Sequence, residues 1–357
     1  MDLGQPKESA KHETPDGQTR RNFLRLTGGV TAGSIAGCSS VIGGSSLDTL
    51  SVAYKPIFPF LQFLVMDERG YLDELDANVE TTDFANQGLN IVSAYSDGDI
   101  DVAFIGITPA IRMKHQGVPG KVTAANQTGG FVVLATDEFV DLWNDHGADA
   151  FEAFREQEGR PFQFSTFPKG SVAYVLLRHW LDEELGVGTD PIEIENVAGV
   201  GPVRQALLSG NADGTFVMEP LPTILEARDA PFSRVTNTGS FLSGAPGGIT
   251  FMHDRLVDDH PDVARAFLRQ HVRATELINE DSGAAAEAVS AALGDRLSAD
   301  LSRRAIESSA SNYISDPRAI SEGTQVCIQR MQDLGQISDP VETNTILEPS
   351  IYQDVTE

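Results

Sequence analysis

From residue 49 onward, short apolar runs of strand length alternate with segments whose apolar residues recur at helical spacing. Residues 49–54 read as a strand, 60–69 as a helix ending at Gly70, 78–84 as a strand, and 89–96 as a helix closed by Asp97-Gly98. A short buried strand follows at 101–105, a helix at 109–116 stopped by Gly117, then strands at 122–126 and 131–136. After a polar stretch at 143–161 a second series begins. Strands are expected at 162–166, 192–197, 215–218 and 248–253, with helices at 169–184, 202–208 and 220–227. From Pro261 to Leu334 the spacing is helical, and Val263, Phe267, Ala274, Leu277 and Ile278 mark one face of the first helix.

Strand–helix alternation predicts an α/β protein with mostly parallel sheets. Two such series predict two lobes, each a sheet flanked by helices, followed by a helical C-terminal tail. No repeat of 20–50 residues is present, which excludes solenoids and propellers. The expected division is a leader at 1–37, a tether at 38–47, a first lobe at 48–129, a second at 130–245, and a mostly helical return to the first at 246–357.

The leader carries Thr19-Arg20-Arg21-Asn22-Phe23-Leu24-Arg25, a close match to the twin-arginine export signal built on Arg20 and Arg21. Residues 26–47 are uncharged but rich in Gly, Ser and Thr, too weakly apolar for a span of about 20 predominantly apolar residues. Within them Ile35-Ala36-Gly37-Cys38 resembles a lipobox, in which small residues admit a peptidase and the Cys38 thiol takes a lipid. The expectation is export by the twin-arginine pathway and a lipid anchor at Cys38 on the outer membrane face. The other thiol, Cys327, lies in an apolar helical stretch and reads as a buried free cysteine.

Charge narrows the function classes. The 357 residues include 52 Asp+Glu against 26 Lys+Arg, a formal charge of −26, which disfavours nucleic acid and anionic membrane surfaces. Only Lys7, Lys11, Lys55, Lys114, Lys121 and Lys169 are lysines, and a carboxylate-rich, lysine-poor surface resembles proteins of extreme halophiles. There is no glycine-rich phosphate loop, nucleophile elbow or His-Glu-x-x-His, and the seven histidines are isolated. An enzyme, a metal site and a cofactor are therefore not expected, and each histidine reads as a surface or helix-face residue.

Several segments acquire meaning together: Met66-Asp67-Glu68-Arg69-Gly70-Tyr71-Leu72, Gly98-Asp99-Ile100-Asp101-Val102-Ala103-Phe104-Ile105-Gly106-Ile107-Thr108-Pro109, Phe167-Pro168-Lys169-Gly170-Ser171, Gln205 to Gly214, Met218-Glu219-Pro220, and His260-Pro261-Asp262. Their order over residues 49–340 resembles the solute-binding proteins of ABC importers of the nitrate/sulfonate/taurine type. The resemblance implies a type II periplasmic-binding-protein clamshell, two lobes joined by two crossover strands. It also implies a monomeric receptor that delivers a small molecule to a permease and ATPase. The family's pyrimidine-synthesising relatives use a cysteine-rich motif that this chain lacks.

Ligands of α/β sheets bind beyond the carboxyl ends of strands, where loops open helices and backbone N–H groups are free. The candidate contacts are Tyr54 and Lys55 after the first strand, Phe58 beside them, and Thr108 after the third. In the second lobe they are Lys169, Gly170 and Ser171 at one helix start, Gly201 at another, and Glu219 at a strand end. The lysines would neutralise an anion. Glu219 points the other way, and Tyr54, Phe58, Phe60 and Phe167 could stack on a ring, so a sulfonate- or nitrate-like anion and a thiamine-precursor-like heterocycle both stay open. An extracytoplasmic enzyme or a sensory ligand-binding module on the same fold are the alternatives from other classes.

Overall fold

A computed structural model describes residues 47–85 and 88–357. Arg20, Arg21, Cys38 and the tether up to residue 46 lie outside the described residues.

Eleven strands are described: β1 (Thr49–Tyr54), β2 (Asn78–Asp83), β3 (Val102–Ile105), β4 (Lys121–Gly129), β5 (Phe131–Thr136), β6 (Phe162–Thr166), β7 (Ile192–Asn196), β8 (Gly214–Met218), β9 (Phe232–Asn237), β10 (Pro246–Met252) and β11 (Ser311–Tyr313). The α-helices are α1 (Leu61–Glu68), α2 (Gly88–Ser96), α3 (Ile107–His115), α4 (Asp137–His146), α5 (Ala150–Glu158), α6 (Val172–His179), α7 (Val200–Leu208), α8 (Leu221–Glu226), α9 (Thr238–Phe241), α10 (Asp254–Asp259), α11 (Pro261–Glu280), α12 (Ser282–Leu293), α13 (Ala299–Ile306), α14 (Ser321–Asp333), α15 (Thr343–Ile346) and α16 (Ser350–Thr356).

The strands form two sheets, β11-β4-β10-β3-β1-β2 in lobe 1 and β7-β6-β8-β5-β9 in lobe 2. This is the α/β, two-lobed type II periplasmic-binding-protein clamshell. The sheets are mixed rather than mostly parallel. β1, β2 and β3 are parallel, as are β6, β7 and β8, but β4, β5, β9, β10 and β11 all pair antiparallel. The reason lies in the connections: β4 runs out of lobe 1 directly into β5, and β10 brings the chain back from lobe 2. β4 is itself reached from β3 through α3 and runs the same way as β3, but β10 arrives from lobe 2 and inserts antiparallel between them, and β5 enters lobe 2 without the helical crossover that parallel pairing requires.

The β4–β5 crossing turns at Gly129 and Gly130, whose φ values of +71° and +83° favour glycine. A Cβ on Gly130 would strike the side-chain oxygen of Gln127, so the crossing tolerates no larger residue without rearrangement.

Strand alternation splits the lobe 1 core. Leu50, Val52, Val102 and Phe104 face a layer built from α1 and α11–α13, whereas Ala53, Ala103, Ile105 and Phe251 face the other side, towards α2 and α3. Lobe 2 centres on aromatics. Phe139 and Phe151 lie against Phe162 at centroid distances of 4.2 and 5.4 Å, and Phe154 lies 5.3 Å from it. Phe139 comes from α4, which ends within the polar stretch at 143–161, and Phe151 and Phe154 come from α5, which lies inside it. The exposed faces of both helices are so acidic that only three aromatics mark the buried side.

A buried polar network fastens α1 and α11 to the crossing strand β4. Gln62 Nε2 donates to the Asn126 carbonyl (2.7 Å), and Thr250 Oγ1 donates to Asn126 Oδ1 (2.8 Å). His271 bridges Asn126 Oδ1 (3.0 Å) and Ser315 Oγ (3.1 Å). His271 is fully buried rather than superficial, and burial pushes its pKa down to about 3, so it is neutral. Cys327 is also fully buried, and burial raises its thiol pKa to about 12.

Candidate functional site at the boundary between the lobes

The carboxyl ends of β3 in lobe 1 and of β6 in lobe 2 lead into segments that meet at the boundary, and β1 ends beside β3 in the lobe 1 sheet. The junction after β3 meets the junction after β6. Thr108, fully buried in the first turn of α3, donates its hydroxyl hydrogen to the Gly170 carbonyl at 2.8 Å. A Cβ at Gly106 would lie 2.6 Å from Val172 Cγ2, and one at Gly170 would lie 2.8 Å from Arg112 Nη2. Glycine at these two positions lets the lobes approach closely. Helix α3 begins at Ile107 rather than Pro109, which places Thr108 inside the helix.

On the lobe 2 side the loop is held firmly. Thr166 Oγ1 donates to the Phe216 carbonyl at 2.8 Å, and Asn196 Nδ2 donates to the Phe167 carbonyl at 2.7 Å. Ser171 caps α6, its Oγ accepting from the Tyr174 N–H at 3.2 Å. Lys169 is exposed and borders a shallow depression of about 190 Å³ on the flank of lobe 2, beside Tyr174, Arg178, Asp182 and Asn196. Gly201, in the first turn of α7, is exposed with open space around its Cα.

Lys55 follows β1 and is the most informative of the expected contacts. By surface area it is half-buried, yet its surroundings are dense enough that burial alone pushes its pKa below the ordinary lysine value. No carboxylate contributes to that shift, in a chain with twice as many acids as bases. The ammonium nitrogen lies 5.8 Å from the Phe60 ring centroid, a cation–π contact. Lys55 is a sheltered cation with no carboxylate counterion among the described residues.

The aromatic candidates behave differently. Tyr54 lies against Phe63 at a centroid distance of 4.0 Å with the rings tilted by 32° and packs at the edge of the lobe 1 core, and burial followed by the charge of Asp83 raises its pKa. Phe58 is 1% exposed within that core. Both serve packing.

Glu219, at the end of β8, is 1% exposed. Its Oε1 accepts from Arg234 Nη2 at 2.8 Å and its Oε2 from the Thr223 N–H at 3.2 Å. Its charge is therefore compensated. Arg234 also reaches lobe 1, donating from Nη1 to Ser308 Oγ at 3.1 Å.

Two boundary residues escape sequence reasoning. Arg112 lies against Gly170 from lobe 1; its signal is the four-residue spacing from Thr108, which puts both on one helix face. Tyr313 is buried on β11, and burial raises its pKa, opposed by a hydrogen bond with Ser311 and aided by the charge of Glu219. No motif marks it, because β11 is a three-residue strand inside a helical stretch. Among the described residues no cluster of three His, Cys, Asp or Glu side chains could hold a metal ion.

Two mixed sheets, a double connection between them and a polar boundary at the strand ends define a clamshell of the periplasmic-binding-protein class. The chain belongs to the NMT1-like family, whose model matches residues 43–293. Among solved structures it is similar to the periplasmic nitrate-binding protein of Synechocystis PCC 6803, at a TM-score of 0.71 and 16% identity over 87% of this chain and 88% of that one. A ligand-binding component of an ABC-type import system from Staphylococcus aureus aligns at 0.69 and 18% over 87% and 99% of the two chains. The periplasmic aliphatic sulphonate-binding protein of Escherichia coli aligns at 0.67 and 14% over 85% and 93%. No curated protein matches the chain in sequence.

Proposed function

We propose that this protein is an extracytoplasmic receptor that captures a small anion between its lobes and delivers it to an ABC permease and its ATPase. The observation that carries the anion reading is Lys55, half-buried beside Phe60 at the end of β1 with no carboxylate partner among the described residues. A buried charge without a partner is costly, and a bound anion supplies the partner. Arg112 and the helix starts after Gly106 and Gly170 add positive potential at the lobe boundary. The names of the similar structures, which include nitrate and sulphonate binding, agree with this chemistry. The core positions of Tyr54 and Phe58 weaken the alternative of a stacked thiamine-precursor-like ring. Capture would proceed by hinge closure about the β4–β5 and β9–β10 connections.

Lys55, Thr108, Gly170, Ser171 and Arg112 form the core of the proposed site, with Lys169 and Gly201 at its rim. Export through Arg20-Arg21 and anchoring at Cys38 would place the receptor on the outer membrane face. The acidic surface would suit concentrated salt.

A thermal-shift panel in high-salt buffer tests the reading, because a ligand that binds only the folded state raises the melting temperature. Nitrate or a short alkanesulfonate is expected to stabilise the protein. Stabilisation by an aminopyrimidine and by no anion would overturn the anion reading. Cell fractionation of Cys38→Ser tests the anchor: release from the membrane is expected, and retention contradicts it.

A further inference from the structure

Glu219 poses a problem for an anion receptor. It stands at the carboxyl end of β8, on the edge of lobe 2 that faces lobe 1, and it is almost completely buried. The register pairs Phe131 with Met218, which puts Glu219 beside the Gly129–Gly130 crossing. Its charge is felt by Tyr313 in the other lobe. A carboxylate left uncompensated at that point would repel any anion held between the lobes, and low-dielectric surroundings would strengthen the repulsion.

The compensation comes from a distance. Arg234 is rooted on β9, separated from β8 by β5, and extends to Glu219 Oε1 at 2.8 Å. The same guanidinium donates from Nε to Glu226 Oε1 at 2.5 Å and from Nη1 to Ser308 Oγ at 3.1 Å. Glu226 lies at the end of α8 with a side chain 39% exposed, where solvent screens it, whereas the Glu219 side chain is 1% exposed. The buried acid is therefore the one whose neutralisation depends on Arg234.

We propose that Arg234 is a specificity-determining residue: by pairing with Glu219 it removes a negative charge from the lobe boundary and so lets the cleft accept an anion. The inference rests on the anion reading of the cleft. Arg234 acts through Glu219 and is a positioning residue rather than a ligand contact. Its effect follows the charge of Glu219 and not the fork geometry alone.

The experiment titrates nitrate and ethanesulfonate into the wild type, Arg234→Gln, Glu219→Gln and the double variant by calorimetry, with folding checked by circular dichroism. Arg234→Gln is expected to weaken anion binding roughly tenfold. Adding Glu219→Gln to it is expected to bring affinity back to within about threefold of the wild type, a coupling that a double-mutant cycle isolates. Should Arg234→Gln fail to fold, Glu219→Gln alone carries the test: it is expected to tighten anion binding, and unchanged or weaker binding contradicts the proposal. Wild-type affinity in Arg234→Gln, or a double variant no better than the single one, would show that Arg234 is merely structural and overturn the proposal. A wild type that binds neither anion overturns the anion reading itself, and the first titration shows this before any variant is compared.

Discussion

Two lysines stand at strand-to-helix junctions, one in each lobe. Lys55, after β1, is sheltered beside Phe60 with its pKa lowered by burial and no carboxylate to offset it. Lys169, after β6, is exposed on the rim of a shallow flank depression. Sequence position alone gives them equal standing, since both are rare lysines at equivalent junctions. Burial separates them. A solvated ammonium gains little from an anion because water already stabilises it, whereas a desolvated one recovers much of what folding cost it.

The contrast is broken most directly by reversing the buried charge. Lys55→Glu is expected to weaken anion binding by at least about 3 kcal/mol, a hundredfold or more, because it places a like charge where the counterion stood. Equal affinities of Lys55→Glu and the wild type would remove Lys55 from the site.

A buried basic group held neutral offers the complementary case. The pKa of His271 is lowered from 6.5 to about 3, so its contribution to stability is complete above 6.5 and is lost as pH falls towards 3. Between pH 6.5 and about 5 the cost is about 2 kcal/mol, read as a falling denaturation midpoint. His271→Leu is expected to flatten that slope while lowering stability at neutral pH, because Asn126 and Ser315 lose a partner. An unchanged slope would assign the acid sensitivity to other groups.

Smaller effects are expected at the hydrogen bond between the lobes and at the rim. Thr108→Val deletes the hydroxyl that joins the lobes at Gly170 and is expected to weaken capture by about 1 kcal/mol, mainly through faster ligand release. Lys169→Ala is expected to change affinity by less than about 0.5 kcal/mol. A loss at Lys169 equal to that at Lys55 would show that exposure does not distinguish the two.

Much of the fold was legible in the sequence because apolar runs of strand length are hard to mistake. The strand read at 49–54 is β1 as observed, and that at 131–136 is β5. The misses have physical causes. α4 and α5 expose so many carboxylates that composition masks their buried rings, and β11 is too short to carry a period. The antiparallel crossing strands cannot be read from alternation, since direction depends on which lobe the chain comes from.

The junctions of the proposed site were legible by position, and their partners were not. The junctions holding Thr108 and Gly170 were identifiable, but their hydrogen bond across the boundary was not. Glu219 read as a free acid because its partner Arg234 lies on a strand, β9, that the pattern does not reveal. Phe58 and Tyr54 read as ring-stacking candidates because an aromatic at a loop looks the same in sequence whether it faces a ligand or a core.

The central claim is that an enclosed, uncompensated Lys55 receives the anion. Binding would then restore the lysine pKa towards its ordinary value, about 10.4. Calorimetry with ethanesulfonate, whose own charge is constant, in buffers of different ionisation enthalpy from pH 7 to pH 10 measures this directly. The account predicts that binding takes up protons and weakens as pH rises through the range where free Lys55 loses its charge, and that Lys55→Gln abolishes both effects. Binding of wild-type strength that is pH-independent up to pH 10, with no proton uptake, would contradict it.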